Sequence, residues 1–332
     1  MRKLAAPLAA VFAIASLAAC GTDSTVHTEQ ADVSLAAMQQ SDADPDVAQL
    51  PESVDMLMHS AAAGTPKRGD SKNEPVYLVH GYTYGDCGSR WNTLKGKLRD
   101  WRWTGPIHTV GYYYANEKSR DTNCDINLAD AKNPLTYNDS IMEVGRRVAW
   151  DIHNRYAKDG RSVDVVAHSM GGLVMRAALT GVATKAKGFP PHLYIEDVVT
   201  LGTPHQGFDC RSTEWLQCRE MRPGSALLGS LRHNPQSAQR TDWTLVSSED
   251  DETVSANSGI DLNQPAGHKI KYLATNKVKV THSSIRTEHR YHREWNLRYW
   301  NHYFKDDKGK ETSKGWSPLH TAGFAIYYAD KW

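Results

Sequence analysis

Residues 163–179 read VDVVAHSMGGLVMRAAL, and their pattern decides the architecture. VDVVA is short, β-branched and apolar, which suits a strand buried within a parallel sheet. LVMRAAL carries apolar residues at helical spacing. Between the two stands Ser169, with Gly171 and Gly172 close behind it. A strand that turns at once into a helix needs small residues at the turn, because the two backbones pass close together. Ala167 and Gly171 supply them. The serine then lies above the carboxyl ends of the strands, where ligands bind in open α/β sheets. It also sits at a helix amino terminus, whose dipole favours developing negative charge.

The A-x-S-x-G spacing is a form of the nucleophile elbow. AHSMGG resembles the corresponding box of the small bacterial lipases of the α/β-hydrolase superfamily, with Ala167 where glycine is commoner. The bland alternative is a buried strand-turn-helix with an incidental serine. Further stretches resemble the same group and occur in its order. PVYLVH, residues 75–80, reads as the first core strand and runs into His80-Gly81-Tyr82. The resemblance makes this the turn that binds an oxyanion. It implies Tyr82 as one backbone donor and Met170, just after the serine, as the other. Such donors are each worth roughly 3 kcal/mol of barrier in other hydrolases. GTPHQG, residues 202–207, resembles the turn beyond the strand that follows the elbow. The resemblance gives His80 and His205 structural, orienting roles.

A serine of this kind needs an acid and then a histidine further along the chain. DWTLVSS reads as a late strand, and Glu249-Asp250-Asp251-Glu252-Thr253-Val254 follows it. Asp251 matches the D-x-x-V spacing of the lipases, with Asp250 as the runner-up. THSS, residues 281–284, lies beyond the last clear strand and places His282 as the base that takes the Ser169 proton.

The resemblance covers residues 75–282. It implies an α/β-hydrolase fold, with a parallel-dominated, mainly eight-stranded sheet between helices. Residues 208–240 are too long for a simple connection and read as a small, disulfide-pinned cap insertion, the alternative being a surface excursion that packs on the sheet. The resemblance also implies a lipase or esterase acting on carboxylic esters through a Ser169 acyl-enzyme, with an acyl-ester or lipid substrate and no metal or organic cofactor. An acyltransferase or thioesterase with the same triad is one alternative. A catalytically silent surface lipoprotein of the same fold is another.

The remaining elements follow from periodicity and punctuation. Helices are expected over residues 91–101 and 138–158, the second capped by Asn138. Strands are expected over 107–114, 193–201 and 269–274. Tyr112, Tyr113 and Tyr114 are placed in sheet packing or on an acyl pocket. Residues 284–304 read as a closing helix, and FAIYY near the end as an edge strand or flap. His289 and His292 are helical neighbours on that reading, but nothing completes a metal site around them.

Before the catalytic region, residues 1–20 combine Arg2 and Lys3 with an uncharged apolar run ending at Cys20, which resembles a bacterial lipobox. That implies lipidation of Cys20 and a lipid-anchored protein facing outside the cytoplasm, held on a membrane surface. Residues 21–73 are poor in aromatics and read as a flexible tether. The catalytic domain is then 74–332. Cys87, Cys124, Cys210 and Cys218 remain, an even number in an exported chain, with three pairings open. Cys87–Cys124 and Cys210–Cys218 are favoured because each joins nearby loops.

Lys plus Arg total 39 against 38 Asp plus Glu, so no basic field points to nucleic acid. Fifteen Tyr and ten Trp against five Phe suggest amphipathic aromatic surfaces, used in packing or in substrate contact. Oligomeric state is not legible from these features.

Overall fold

The structure is a computed structural model and describes residues 64–212, 214–291, 293–301 and 308–329. The leader at 1–20 with Cys20, the tether as far as residue 63, and His292 lie outside the described residues.

A nine-stranded sheet organises the rest. Its strands are β1 (Val76–Val79), β2 (Ile107–Gly111), β5 (Ile126–Asn127), β6 (Val163–His168), β7 (Ile195–Leu201), β8 (Asp242–Ser248), β9 (His268–Tyr272), β10 (Trp295–Asn301) and β11 (Lys310–Gly315). Two short strands, β3 (Tyr114–Asn116) and β4 (Ser119–Arg120), pair separately. The spatial order is β11-β10-β9-β8-β7-β6-β1-β2-β5. From β9 to β5 every pairing is parallel, and β10 and β11 add antiparallel strands at one edge. Starting at β1, the chain builds outward through β2 and β5, then returns to the other side of β1 with β6. The strand order therefore reverses between β1 and β6, the position outside whose carboxyl ends open α/β sheets bind ligands.

Helices cover both faces. They are α1 (Cys87–Asp100), α2 (Ile141–Arg155), α3 (Met170–Ala183), the short α4 (Leu216–Glu220), α5 (Ala226–Ser230) and α6 (Ala256–Gly259), and α7 (Pro318–Ala325). Alternation along β1 divides the core. Tyr77 and Val79 pack with the Val144, Val148 and Ile152 stripe of α2 and with Leu173 and Ala177 of α3. Val76 and Leu78 face Leu94 and Leu98 of α1 and Leu319 of α7. Strands such as VYLV are apolar throughout because both faces are covered.

Several elements differ from expectation. Among the described residues the sheet has nine strands, against the mainly eight expected. The described residues of 284–304 form no α-helix: a single 3-10 turn (Ser284–Arg286) is followed by β10. The reason lies in the period. Trp295 and Leu297 are buried at alternate positions, a strand pattern that the aromatic-rich segment disguised. FAIYY is neither edge strand nor flap. Its first residues end α7, which Pro318 starts at a position that suits proline, and nearly every residue of that helix is buried. Helix α2 is capped by Ser140, whose hydroxyl accepts from Met142 N at 3.1 Å. Asn138 instead accepts from Leu216 N at 3.2 Å. The strand expected over 107–114 stops at Gly111.

Both favoured disulfides are present. Cys87–Cys124 ties the start of α1 to the loop before β5, and Cys210–Cys218 closes the loop leading into α4. The excursion after β7 packs inward. Met221, Leu227, Leu228 and Leu231 join the core on the α2 and α3 face. Arg68, inside the compositional tether, pairs with Asp197 at 3.2 Å, so the chain is already docked there.

Candidate active site

Ser169 stands between β6 and α3 with φ 57 and ψ −131, a conformation that non-glycine residues rarely adopt. The surroundings hold it there. Its N–H donates to Leu201 O at 2.9 Å, and its carbonyl accepts from the Thr203 hydroxyl at 2.8 Å and Gly172 N at 3.1 Å. The crossing of helix and sheet explains the small residues. A Cβ on Gly171 would lie 2.4 Å from Val79 O, and one on Gly81 would lie 2.7 Å from Ser169 Cβ. Thus the turn after β1 presses directly on the serine side chain.

His282 faces that hydroxyl. Its Nε2 is 2.9 Å from Ser169 Oγ, and its Nδ1 is 2.8 Å from Asp251 Oδ2. The other Asp251 oxygen accepts from Thr253 N and Val254 N, each at 2.9 Å, which is what the D-x-x-V spacing provides. Asp251 is buried and His282 reaches partly into solvent. Asp250 turns elsewhere, to Val280 N at 3.4 Å. The three groups lie 113 and 31 residues apart in sequence and meet at the carboxyl end of β6.

The turn after β1 sets Gly81 against Ser169, with Tyr82 next in the chain, and Met170 opens α3, where a helix start leaves amide groups unpaired. His80 is engaged below them. Its Nδ1 is 2.8 Å from Gly81 O, its Nε2 is 2.9 Å from Asp121 Oδ2, and its ring stacks on Tyr112 at 4.1 Å. His205 is buried with Nε2 2.9 Å from Thr200 Oγ1, and its carbonyl accepts from Arg176 at 2.9 Å. The ring hydrogen bonds of both go to these partners, while the Ser169 hydroxyl pairs with His282. Tyr112 and Tyr113 are buried in packing.

Two residues here escaped the sequence reading. Asp121 Oδ2 accepts from the amides of Tyr112 and Tyr113 at 2.8 Å each, and its Oδ1 accepts from Gly85 N at 3.0 Å. Burial alone would raise this carboxyl. The hydrogen bonds from His80 and those two amides outweigh it and hold the group below its ordinary value. The second is His168, whose Nε2 lies 2.6 Å from the His282 carbonyl oxygen. Its position before the serine was the available signal. Nothing local marked Asp121, which lies 41 residues from His80.

Among the described residues no group of three side chains is placed to hold a metal, and no helix is long and apolar enough to cross a membrane.

A mostly parallel sheet, helices on both faces and a serine elbow at the reversal of strand order define an α/β-hydrolase fold. A family model described as "Putative serine esterase (DUF676)" matches residues 94–225. No curated protein matches the chain. Similar solved structures include Aspergillus fumigatus lipase B, at 19% identity and a TM-score of 0.42, over 68% of this chain and 51% of that one. Bacillus licheniformis lipase BlEst2 in mature form is similar at 16% identity and a TM-score of 0.42, over 68% of this chain and 91% of that one. The chain thus spans about half the length of the Aspergillus protein.

Proposed function

We propose that the protein is a serine carboxylic-ester hydrolase, a lipase or esterase. The observation that carries this is the line from Asp251 through His282 to Ser169, at 2.8 and 2.9 Å, on a strained elbow. In this reading His282 Nε2 takes the Ser169 proton as the hydroxyl oxygen attacks the ester carbonyl carbon. Asp251 keeps the imidazole in the required tautomer and stabilises its cation. The amides of Tyr82 and Met170 receive the oxyanion. His282 then gives the proton to the leaving alcohol, and water releases the acyl group by the same route. The family match over residues 94–225 supports this reading.

We also propose that the chain is exported and held at a membrane surface through lipid on Cys20. Two disulfides support an oxidising compartment.

Ser169→Ala is expected to abolish turnover of p-nitrophenyl esters and labelling by a fluorophosphonate while unfolding remains cooperative. Retained turnover in that variant would sink the assignment.

A further inference from the structure

Three segments far apart in the chain bring aromatic rings together around Tyr137, one of them from the turn whose Gly81 meets Ser169. Tyr82 follows Gly81 in the turn that presses on the serine, and its ring meets Tyr137 at 4.7 Å. The Tyr84 ring stacks on Tyr137 at 5.5 Å, and Trp215 approaches the same ring edge-on at 5.7 Å. Beneath them Tyr113 meets Tyr137 at 4.9 Å, and its hydroxyl lies 3.9 Å from the Met170 sulfur. The cluster therefore reaches both residues proposed to receive the oxyanion.

It is also held in place. The Gln217 side-chain amide donates to Thr136 O at 3.2 Å and Asp139 O at 2.8 Å, and Gln217 N donates to Tyr137 O at 3.0 Å. The Cys210–Cys218 bridge closes the loop that carries Trp215.

Packing accounts for the buried members but not for the rest. Among the described residues the exposed large apolar side chains are Tyr84 at 39%, Trp215 at 37% and Tyr291 at 42%, so two of the three stand here. The Tyr82 hydroxyl oxygen is shielded from solvent and has no hydrogen-bond partner. Leaving such a group unpaired costs about 1–3 kcal/mol unless something supplies a partner. Burial pushes the Tyr82 and Tyr137 hydroxyls up to about 12, so both remain protonated donors at neutral pH.

We propose that Tyr84, Tyr137 and Trp215 form a subsite that stacks a planar aromatic ring of the ester substrate. This rests on the function proposed above and names its substrate class. Contacts to Tyr137 hold Tyr84 and Trp215 in place while each keeps more than a third of its surface exposed, and such fixed, exposed ring surface is what an incoming ring can stack on. A flexible alkyl chain gains more from aliphatic walls, and Leu227, Leu228 and Leu231 of the neighbouring excursion are buried in the core instead.

The test compares kcat/KM for methyl 3-phenylpropanoate and phenyl acetate, which carry the ring on opposite sides of the ester, with methyl butanoate, all by pH-stat. In Tyr84→Leu/Trp215→Leu the aryl-to-alkyl ratio for one ring ester is expected to fall about tenfold, mainly through KM, as the loss of stacking contacts implies. Trp215→Phe is expected to recover most of it. A ratio within twofold of the parent for both ring esters overturns the subsite. So does a larger loss on a sugar acetate or a long-chain ester. Ser169→Ala separates the two claims, because ester turnover that depends on Ser169 supports the hydrolase whichever way the ratio moves. If the parent turns over no ester, the hydrolase reading fails. Saturation-transfer NMR of methyl 3-phenylpropanoate with the Ser169→Ala protein then decides the subsite alone. Contact to the ring protons that the double variant removes supports it, and its absence overturns it.

Discussion

The last residue of β6, His168, places its Nε2 2.6 Å from the main-chain oxygen of His282. Only the ring can be the donor, so the strand that ends at Ser169 also grips the loop that presents the imidazole to it. The two rings pack at 4.8 Å. His168→Ala is expected to lower kcat for ester turnover about tenfold with little change in KM, since losing this bond misplaces the base without touching substrate. His168→Gln, which keeps a donor, should recover part of the loss. Equal losses in kcat and KM, or no recovery with Gln, would contradict a positioning role.

Asp121 links the turn after β1 to the end of β2, so Asp121→Asn should weaken the ring hydrogen bond of His80 and the two amide bonds together. A loss of about 3 kcal/mol in denaturant stability is expected, in line with breaking a buried pair. The sign with pH follows from the depressed carboxyl. Its contribution is complete above the ordinary carboxylate range and is lost as pH falls through the lower folded value. The melting-temperature gap between parent and variant should therefore be widest near neutrality and narrow in acid.

Asp164 of β6 and Asp197 of β7 are buried near the amino ends of their strands, at the end of the sheet opposite Ser169. Burial raises the Asp164 carboxyl well above its ordinary value, and the charges of Glu196 and Glu74 add to the effect. A raised acid favours the protonated folded state. The penalty is therefore absent below the unfolded value and grows as pH rises. Asp164→Asn should raise the melting temperature at pH 8, with the gain shrinking toward pH 4. A gain that increases in acid would refute this account.

The bridges should differ in worth. Closing 37 residues, Cys87–Cys124 should contribute about 4 kcal/mol by chain entropy, against about 2.5 kcal/mol for the 8-residue Cys210–Cys218 loop. Denaturant unfolding of the two paired Cys→Ser variants checks the order.

The elbow was legible because everything that makes it is local: β-branched strand, two glycines and apolar helix within seventeen residues. Asp251 was favoured over Asp250 for a related reason, since its two amide donors lie two and three positions ahead of it. The chain after His282 was misread. Trp295, Leu297 and Tyr299 repeat every two residues, but Trp300 directly after Tyr299 blurred the period, and only pairing with β9 resolves it. Ser317-Pro318 before α7 was a start signal passed over.

By itself, the sequence determined which segments turn, which strands are buried on both faces, and in what order a serine, an acid and a histidine appear. Those are matters of neighbouring residues and their sterics. Tertiary structure alone decided that β1 and β6 lie side by side, that Asp121 sits under His80, and that Tyr82, Tyr137 and Trp215 share one surface. Such contacts join positions tens of residues apart, and only the closing of the sheet, with the burial that drives it, brings them within reach.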